Sequence, residues 1–223
     1  MRKPVIYLTA TFVAFAVMLA ATSGWATVTL TPGNNPQPGE ENVLLDQGAT
    51  GSTVTGATNQ TGTVVDFTSS VNTLFIPSSG QAMIQGVPET GGINQIVITV
   101  PGFTFTDLIF NAANTAQIGT PGALATVDAA VNESGGGTST FTGSYNLGQG
   151  AGVGNGFATL VATGGETMSS VTITLPSGEF FHDLEQVRVS GLAAVPPAIP
   201  EPASLIVWSL FALIGVAIGC RRK

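Results

Sequence analysis

A chain of 223 residues, 43% apolar and only 9% charged, has room for one ordinary domain flanked by short terminal segments, with enough apolar bulk for a core. Five of its six basic residues, Arg2, Lys3, Arg221, Arg222 and Lys223, lie at the ends, whereas between Thr27 and Ile199 twelve acidic residues face one basic residue, Arg188. A middle of that sign offers no cationic footprint to phosphates, which excludes nucleic acid as a partner, and the single cysteine, Cys220, excludes an intramolecular disulfide and a cysteine-rich metal cluster.

Residues 1–26 read as a secretory signal peptide. Arg2 and Lys3 form the positive start, Val5 to Ala21 is apolar and uncharged, and Gly24-Trp25-Ala26 sets small residues at positions −3 and −1 of a cut between Ala26 and Thr27. Polar Thr22 and Ser23 followed by a small-residue exit argue against an uncleaved signal anchor.

Residues 27–191 alternate with period two and form the domain. Val171-Thr-Ile173-Thr-Leu175, Phe141 to Leu147, and Ile96, Ile98 and Val100 place apolar side chains on one face of half-buried strands. Further strands are predicted at Thr27–Thr31, Val64–Phe67, Leu74–Ile76, Met83–Val87, Thr104–Phe110, Leu124–Val131, Phe157–Ala162 and Leu184–Ser190. Turn signals such as Pro32-Gly33, Pro121-Gly122 and Gly135-Gly136-Gly137 separate them. The fold class is all-β, an antiparallel β-sandwich of jelly-roll type, with an up-and-down barrel or a β-solenoid as alternatives. Ile96, Ile98, Val100, Val171, Ile173 and Leu175 are expected in the core.

One internal echo stands out. Ile98-Thr-Val-Pro-Gly-Phe-Thr-Phe-Thr-Asp-Leu108 parallels Ile173-Thr-Leu-Pro-Ser-Gly-Glu-Phe-Phe-His-Asp-Leu184, with one residue inserted. Convergent hairpin chemistry explains it at least as well as duplication; the duplication reading implies that the two hairpins sit in equivalent places of two halves.

Chemistry-bearing residues are sparse. The only histidine, His182, neighbours Asp183, with Ser177 and Ser190 nearby in sequence, but no Gly-x-Ser-x-Gly elbow is present and adjacent strand residues point to opposite faces, so it reads as a surface or turn residue. Glu179, Asp183 and Glu185 form the densest acidic group, and a glycosidase would need two carboxylates across a cleft. Asp66, Asp107, Asp128 and Asp183 are candidate calcium ligands in an acidic exported domain, although no Asp-x-Asp-x-Asp-Gly loop is present; solvated loop carboxylates are the alternative. The glycines alternating from Gly148 to Gly156 lack the spacing and the following helix of a phosphate cradle and read as a flexible loop or hairpin. Tyr145 is the one Trp or Tyr between Thr27 and Gly191, which weakens an aromatic sugar-binding platform.

Residues 192–199 form a proline-rich linker, and 200–223 a tail. Ala203 to Cys220 is eighteen uncharged residues, a helix of roughly 27 Å, enough for a bilayer core of about 30 Å. Its apolar residues run all round rather than along one stripe, which argues against a buried core helix. Arg221, Arg222 and Lys223 form a basic stop that stays cytoplasmic and turns the domain outward.

Pro200, Glu201 and Pro202, then an apolar segment, then a short basic end, behind a signal peptide, resemble the PEP-CTERM sorting signal of exported proteins of Gram-negative bacteria. The resemblance covers only residues 200–223. It implies a recognition motif at Pro200-Glu201-Pro202, a membrane segment at Ala203–Cys220, and processing by an exosortase, a membrane-embedded transpeptidase-like enzyme, in cells that make extracellular polysaccharide and biofilm matrix. The expectation is an exported, non-enzymatic surface or matrix protein, held briefly at the inner membrane and then released outward, with extracellular polysaccharide as a partner. The alternatives are a carbohydrate- or calcium-binding module and a secreted hydrolase.

Overall fold

The computed structural model describes residues 27–78, 82–87, 92–113, 122–147 and 156–195. The expected signal peptide at 1–26, the sorting motif and the span at 203–220 lie outside them, as does nearly all of the glycine run. No helix among the described residues is long and apolar enough to cross a membrane. The chain divides into residues 1–193 and 194–223, and the strands described below belong to the first unit.

Among the described residues that unit is all-β and antiparallel. Its strands are β1 (Val28–Pro32), β2 (Glu41–Leu45), β3 (Thr50–Gly51), β4 (Thr53–Thr58), β5 (Val64–Thr68), β6 (Thr73–Phe75), β7 (Met83–Val87), β8 (Gln95–Thr99), β9 (Phe103–Thr104), β10 (Asp107–Ala113), β11 (Leu124–Asn132), β12 (Thr138–Asn146), β13 (Phe157–Ala162), β14 (Thr167–Thr174) and β15 (Asp183–Ser190). The expected strands recur with shifted ends. The stretch Thr104–Phe110 breaks at Phe105-Thr106, and β2, β3 and β4 were not foreseen.

Hydrogen bonding runs β1-β13-β10-β15-β2-β4-β5-β8-β14-β11-β12, with β7, β6 and β3 branching from β15. The branch has a local cause. Residues Asp183–Glu185 of β15 pair with β7, whereas Arg188 and Val189 pair with β2. Between them Gln186 takes φ 50°, a left-handed conformation uncommon for a non-glycine residue, and the β10–β15 register slips between Ile109 and Asn111. The two ends of the path come together: a Cβ added to Gly143 of β12 would lie 2.9 Å from Leu30 Cδ2 of β1, so glycine permits the approach that nearly closes the sheet into a barrel.

Alternation sets the core. Ile96, Ile98, Val100, Val171, Ile173 and Leu175 are all buried, as the period-two pattern requires, together with Phe67, Phe105, Phe110 and Phe181.

The echoed hairpins do occupy equivalent places. β8 and β14 pair antiparallel with Val97 opposite Thr172, so Ile98 meets Val171 and Ile96 meets Ile173. Advancing the first copy by 75 residues before the insertion and 76 after it maps these pairs onto each other. The same shift exchanges the two isolated bridges, Ile93 with Phe181 and Phe105 with Met168. With 76 residues on both partners, the pairing of Asp107, Leu108 and Ile109 with Val161, Leu160 and Thr159 likewise maps onto that of Asp183, Leu184 and Glu185 with Gln85, Ile84 and Met83, so β7 and β13 stand one residue off the shift of 75 that relates Ile93 to Met168. The halves therefore interlock, because β7 of the first half pairs with β15 of the second and β13 of the second with β10 of the first.

Glu41 secures the β4–β5 turn. Its Oε2 accepts from the Gln60 and Thr61 amides at 3.1 and 2.8 Å and from Thr61 Oγ1 at 3.0 Å. Burial pushes the Glu41 carboxyl upward, but hydrogen bonds from Thr61, Thr58 and Gln60 outweigh it and hold the group below the usual carboxylate range. A depressed folded-state pKa contributes stability that is present above the unfolded value, about 4.3, and is lost as pH falls through the folded value.

Two outcomes follow. Ile98→Ala and Ile173→Ala, at equivalent positions, should each cost about 2–5 kcal/mol in denaturant unfolding; a negligible cost at one of them would contradict the shared core. Glu41→Gln should flatten the acid limb of the stability curve while lowering stability at pH 7 by about 1–3 kcal/mol; an unchanged acid limb would exclude the clasp.

Candidate functional site

Alternation on β15 sends Leu184 into the core and Asp183 and Glu185 to the other side of the strand. Register places Ala113 and Gln85 beside Asp183, and Asn111 and Met83 beside Glu185. His182, in the bend ahead of β15, bonds through Nδ1 to Asp183 Oδ2 at 2.7 Å, and its Nε2 lies 3.5 Å from Gln85 Nε2. Asn111 Nδ2 donates to Glu185 Oε2 at 3.3 Å. A recess of about 320 Å³ lined by Ala82, Met83, Glu185 and Gln186 adjoins this cluster.

The cluster is buried although it faces away from the core: Asp183 is 4% and Asn111 5% exposed. Asp183 Oδ1 and Asn111 Oδ1 have no hydrogen-bond partner among the described residues. Burial pushes the Asp183 carboxyl above its ordinary range, against the opposing pull of His182, and burial together with the Asp183 charge raises Glu185.

Other expected combinations do not assemble. Ser190 Oγ donates to Asp107 Oδ2 at 2.6 Å, at the opposite end of β15 from Asp183, so His182 and Ser190 are apart. Ser177 is exposed in the turn that Glu179 N closes onto Pro176 O at 3.0 Å. Glu179 belongs to that turn and not to the strand carrying Asp183 and Glu185. Thr106 and Asp107, whose side chains bond at 2.5 Å, occupy the places of His182 and Asp183 in the other half. Asp66 and Asp128 lie on β5 and β11, on different strands from Asp107 and Asp183. Among the described residues no three His, Cys, Asp or Glu side chains gather as a metal site.

A second feature escaped the strand pattern because β4 did. Across six strands the register aligns Thr53, Thr68, Val97, Thr172, Asp128 and Thr142 in one row. The neighbouring row is Thr55, Asp66, Thr99, Ser170, Ala130 and Thr140. These side chains stand opposite the buried ones and are half-buried or exposed. Strand spacing sets them on a grid of about 5 by 7 Å. Thr53 and Thr68 bond hydroxyl to hydroxyl at 3.0 Å, and Thr142 Oγ1 donates to Asp128 Oδ1 at 2.6 Å. The rows carry no aromatic side chain and no cation. Tyr145 is buried edge-on to Phe110, ring centroids 5.8 Å apart, and offers no stacking platform.

No known protein family, no curated protein and no solved structure matches the chain.

The raised carboxylates give a signed pH dependence. The folded state keeps protons that the unfolded chain releases, so stability is higher at low pH and falls as pH rises from ordinary carboxylate values, about 4, through the raised folded values of Asp183 and Glu185. Glu185→Gln removes one charge and relieves the other. Its thermal midpoint should exceed that of the wild type above this window and converge with it below; a lower midpoint at every pH would show that the ionised pair is stabilising.

Proposed function

We propose that the chain is an exported, non-enzymatic protein of the cell surface or extracellular matrix, a two-layered β-sandwich that presents its hydroxyl face to matrix polysaccharide. Signal peptide 1–26 and the PEP-CTERM-like tail deliver it: Ala203–Cys220 holds it at the inner membrane, Arg221, Arg222 and Lys223 keep the tail cytoplasmic, and an exosortase-type enzyme reads Pro200-Glu201-Pro202 from the outer side. Pre-ordered hydroxyls can exchange bonds with a hydroxylated polymer at small entropic cost, and an acidic domain with few cations does not compete for polyanions. The observation that carries the polysaccharide reading is the pair of hydroxyl rows on adjoining strands. Export rests on the charge and apolar pattern of residues 1–26 and of the tail.

Calcium is a second reading, favoured by the unpartnered oxygens of Asp183 and Asn111 on neighbouring strands. Oxygen donors suit a hard cation, and binding to the folded state alone would raise the midpoint saturably. Asp183→Asn should abolish any such rise, and the absence of a rise at millimolar calcium would remove this reading.

Two measurements test the main proposal. Surface-released protein should begin at Thr27 and lack residues 203–223 by mass spectrometry, and Glu201→Ala should block trimming but not membrane insertion; an intact Arg221-Arg222-Lys223 end on surface material would leave a simple membrane-anchored protein. Thr68→Val with Thr99→Val and Thr172→Val should reduce co-sedimentation with insoluble β-glucan about tenfold at an unchanged thermal midpoint, since each lost hydrogen bond removes about 0.5–1.5 kcal/mol. Undiminished sedimentation would remove the polysaccharide face.

A further inference from the structure

Thr27 is held by the turn between β13 and β14. Its backbone nitrogen donates to Glu166 Oε2, and its carbonyl accepts from Thr163 N and Thr163 Oγ1, both at 3.1 Å. Glu166 is 4% exposed. The strand that follows, β1, lies at an end of the sheet path and, among the described residues, pairs with β13 alone, starting with Val28 opposite Ala162. A carboxylate so buried calls for positive charge. The one basic residue of the domain, Arg188, is engaged elsewhere, by Glu40 at 3.6 Å and Asn34 at 3.3 Å.

We infer that the Thr163–Glu166 turn is the receiving site for the α-ammonium that signal-peptide removal creates at Thr27. The inference rests on the proposed cut between Ala26 and Thr27. In the precursor this nitrogen is an amide, which offers Glu166 one neutral donor. Hydrolysis of the Ala26–Thr27 peptide bond leaves a carboxylate on Ala26 and an ammonium on Thr27, which sets a full positive charge against the buried carboxylate and strengthens the bond. Maturation thereby fixes the first residue of an edge strand, the kind of segment that otherwise frays. The elements around Glu166 bring few competing charges. β1, β13 and β14 carry none; Glu133 lies in the turn after β11, whose Ser134 adjoins Gly165, and Asp107 on β10 already accepts from Thr106 and Ser190.

The sign is fixed by linkage. An unpaired α-amino group titrates at about 7.7–8.0, and pairing with a carboxylate raises that value in the folded state, so the contribution is complete below about pH 8 and is lost as pH rises through the folded value. The test uses the exported full chain in detergent, its amino terminus read by mass spectrometry, with thermal unfolding followed from pH 6 to 10. The wild type should begin at Thr27 and lose about 2–4 °C more than Glu166→Gln between pH 7 and 10. A form whose leader leaves Ala26 as the first residue moves the ammonium one residue away without altering Glu166, and should also lack the alkaline loss. A chain beginning at Thr27 whose alkaline limb matches those of both variants overturns the inference alone. A wild-type terminus at any other residue overturns the cleavage reading and the inference with it.

Discussion

The antiparallel contact of β8 with β14, centred on Val97 opposite Thr172, is the constraint from which the other pairings follow. Each strand continues through a proline turn into a second strand, β10 or β15, and those two also pair. Neither half has a complete layer of its own: β7 completes the second half's β15 and β13 the first half's β10. Edge backbone groups left open by separating the halves would lose their partners, so the halves are expected to stand or fall together. The near closure of β1 on β12 through Gly143 then limits the remaining exposed edge.

This arrangement separates a regular surface from an irregular, covered polar patch on the outer side of β15. The layer running from β4 to β12 is regular enough to align hydroxyls in rows. The forked strand β15 is not, because one strand shared by β7 and β2 must bend, and the bend at Gln186 lies beside the recess and the raised carboxylates of Asp183 and Glu185. The proposed polymer contact falls on the first kind of surface and the proposed cation on the second. The Thr27–Glu166 contact is a third feature, at an end of the sheet path.

The strands with clear alternation were legible in the sequence: Val171-Thr-Ile173-Thr-Leu175 has no competing pattern, and its three apolar residues are buried. β4 was not, since Thr53 to Thr58 carries a glycine and only one bulky apolar residue. Gly56 is there because a Cβ would come within 2.7 Å of the Leu44 carbonyl, a reason visible only once β2 is beside it. The echo between the two Pro-turn hairpins was visible but mute, because sequence spacing does not state which strands pair. His182 was read as a surface or turn residue; it occupies a bend, but its imidazole is largely covered by its bond to Asp183 and its neighbours. The fork of β15 left no signal, since Gln186 in a left-handed conformation is unexpected from its residue type. That fork also puts Glu185 against the recess, which proximity in sequence could not have indicated.

Hydrogen exchange followed by mass spectrometry, on the exported chain through a denaturant series, tests the interlock most directly. Amides of β8, β10, β14 and β15 should open with a single free energy equal to that of global unfolding, because each half supplies the other's pairing. Loss of protection across residues 64–113 at lower denaturant than across 124–190, or the reverse, would mean that the halves are separate folding units and would contradict the interlocked fold.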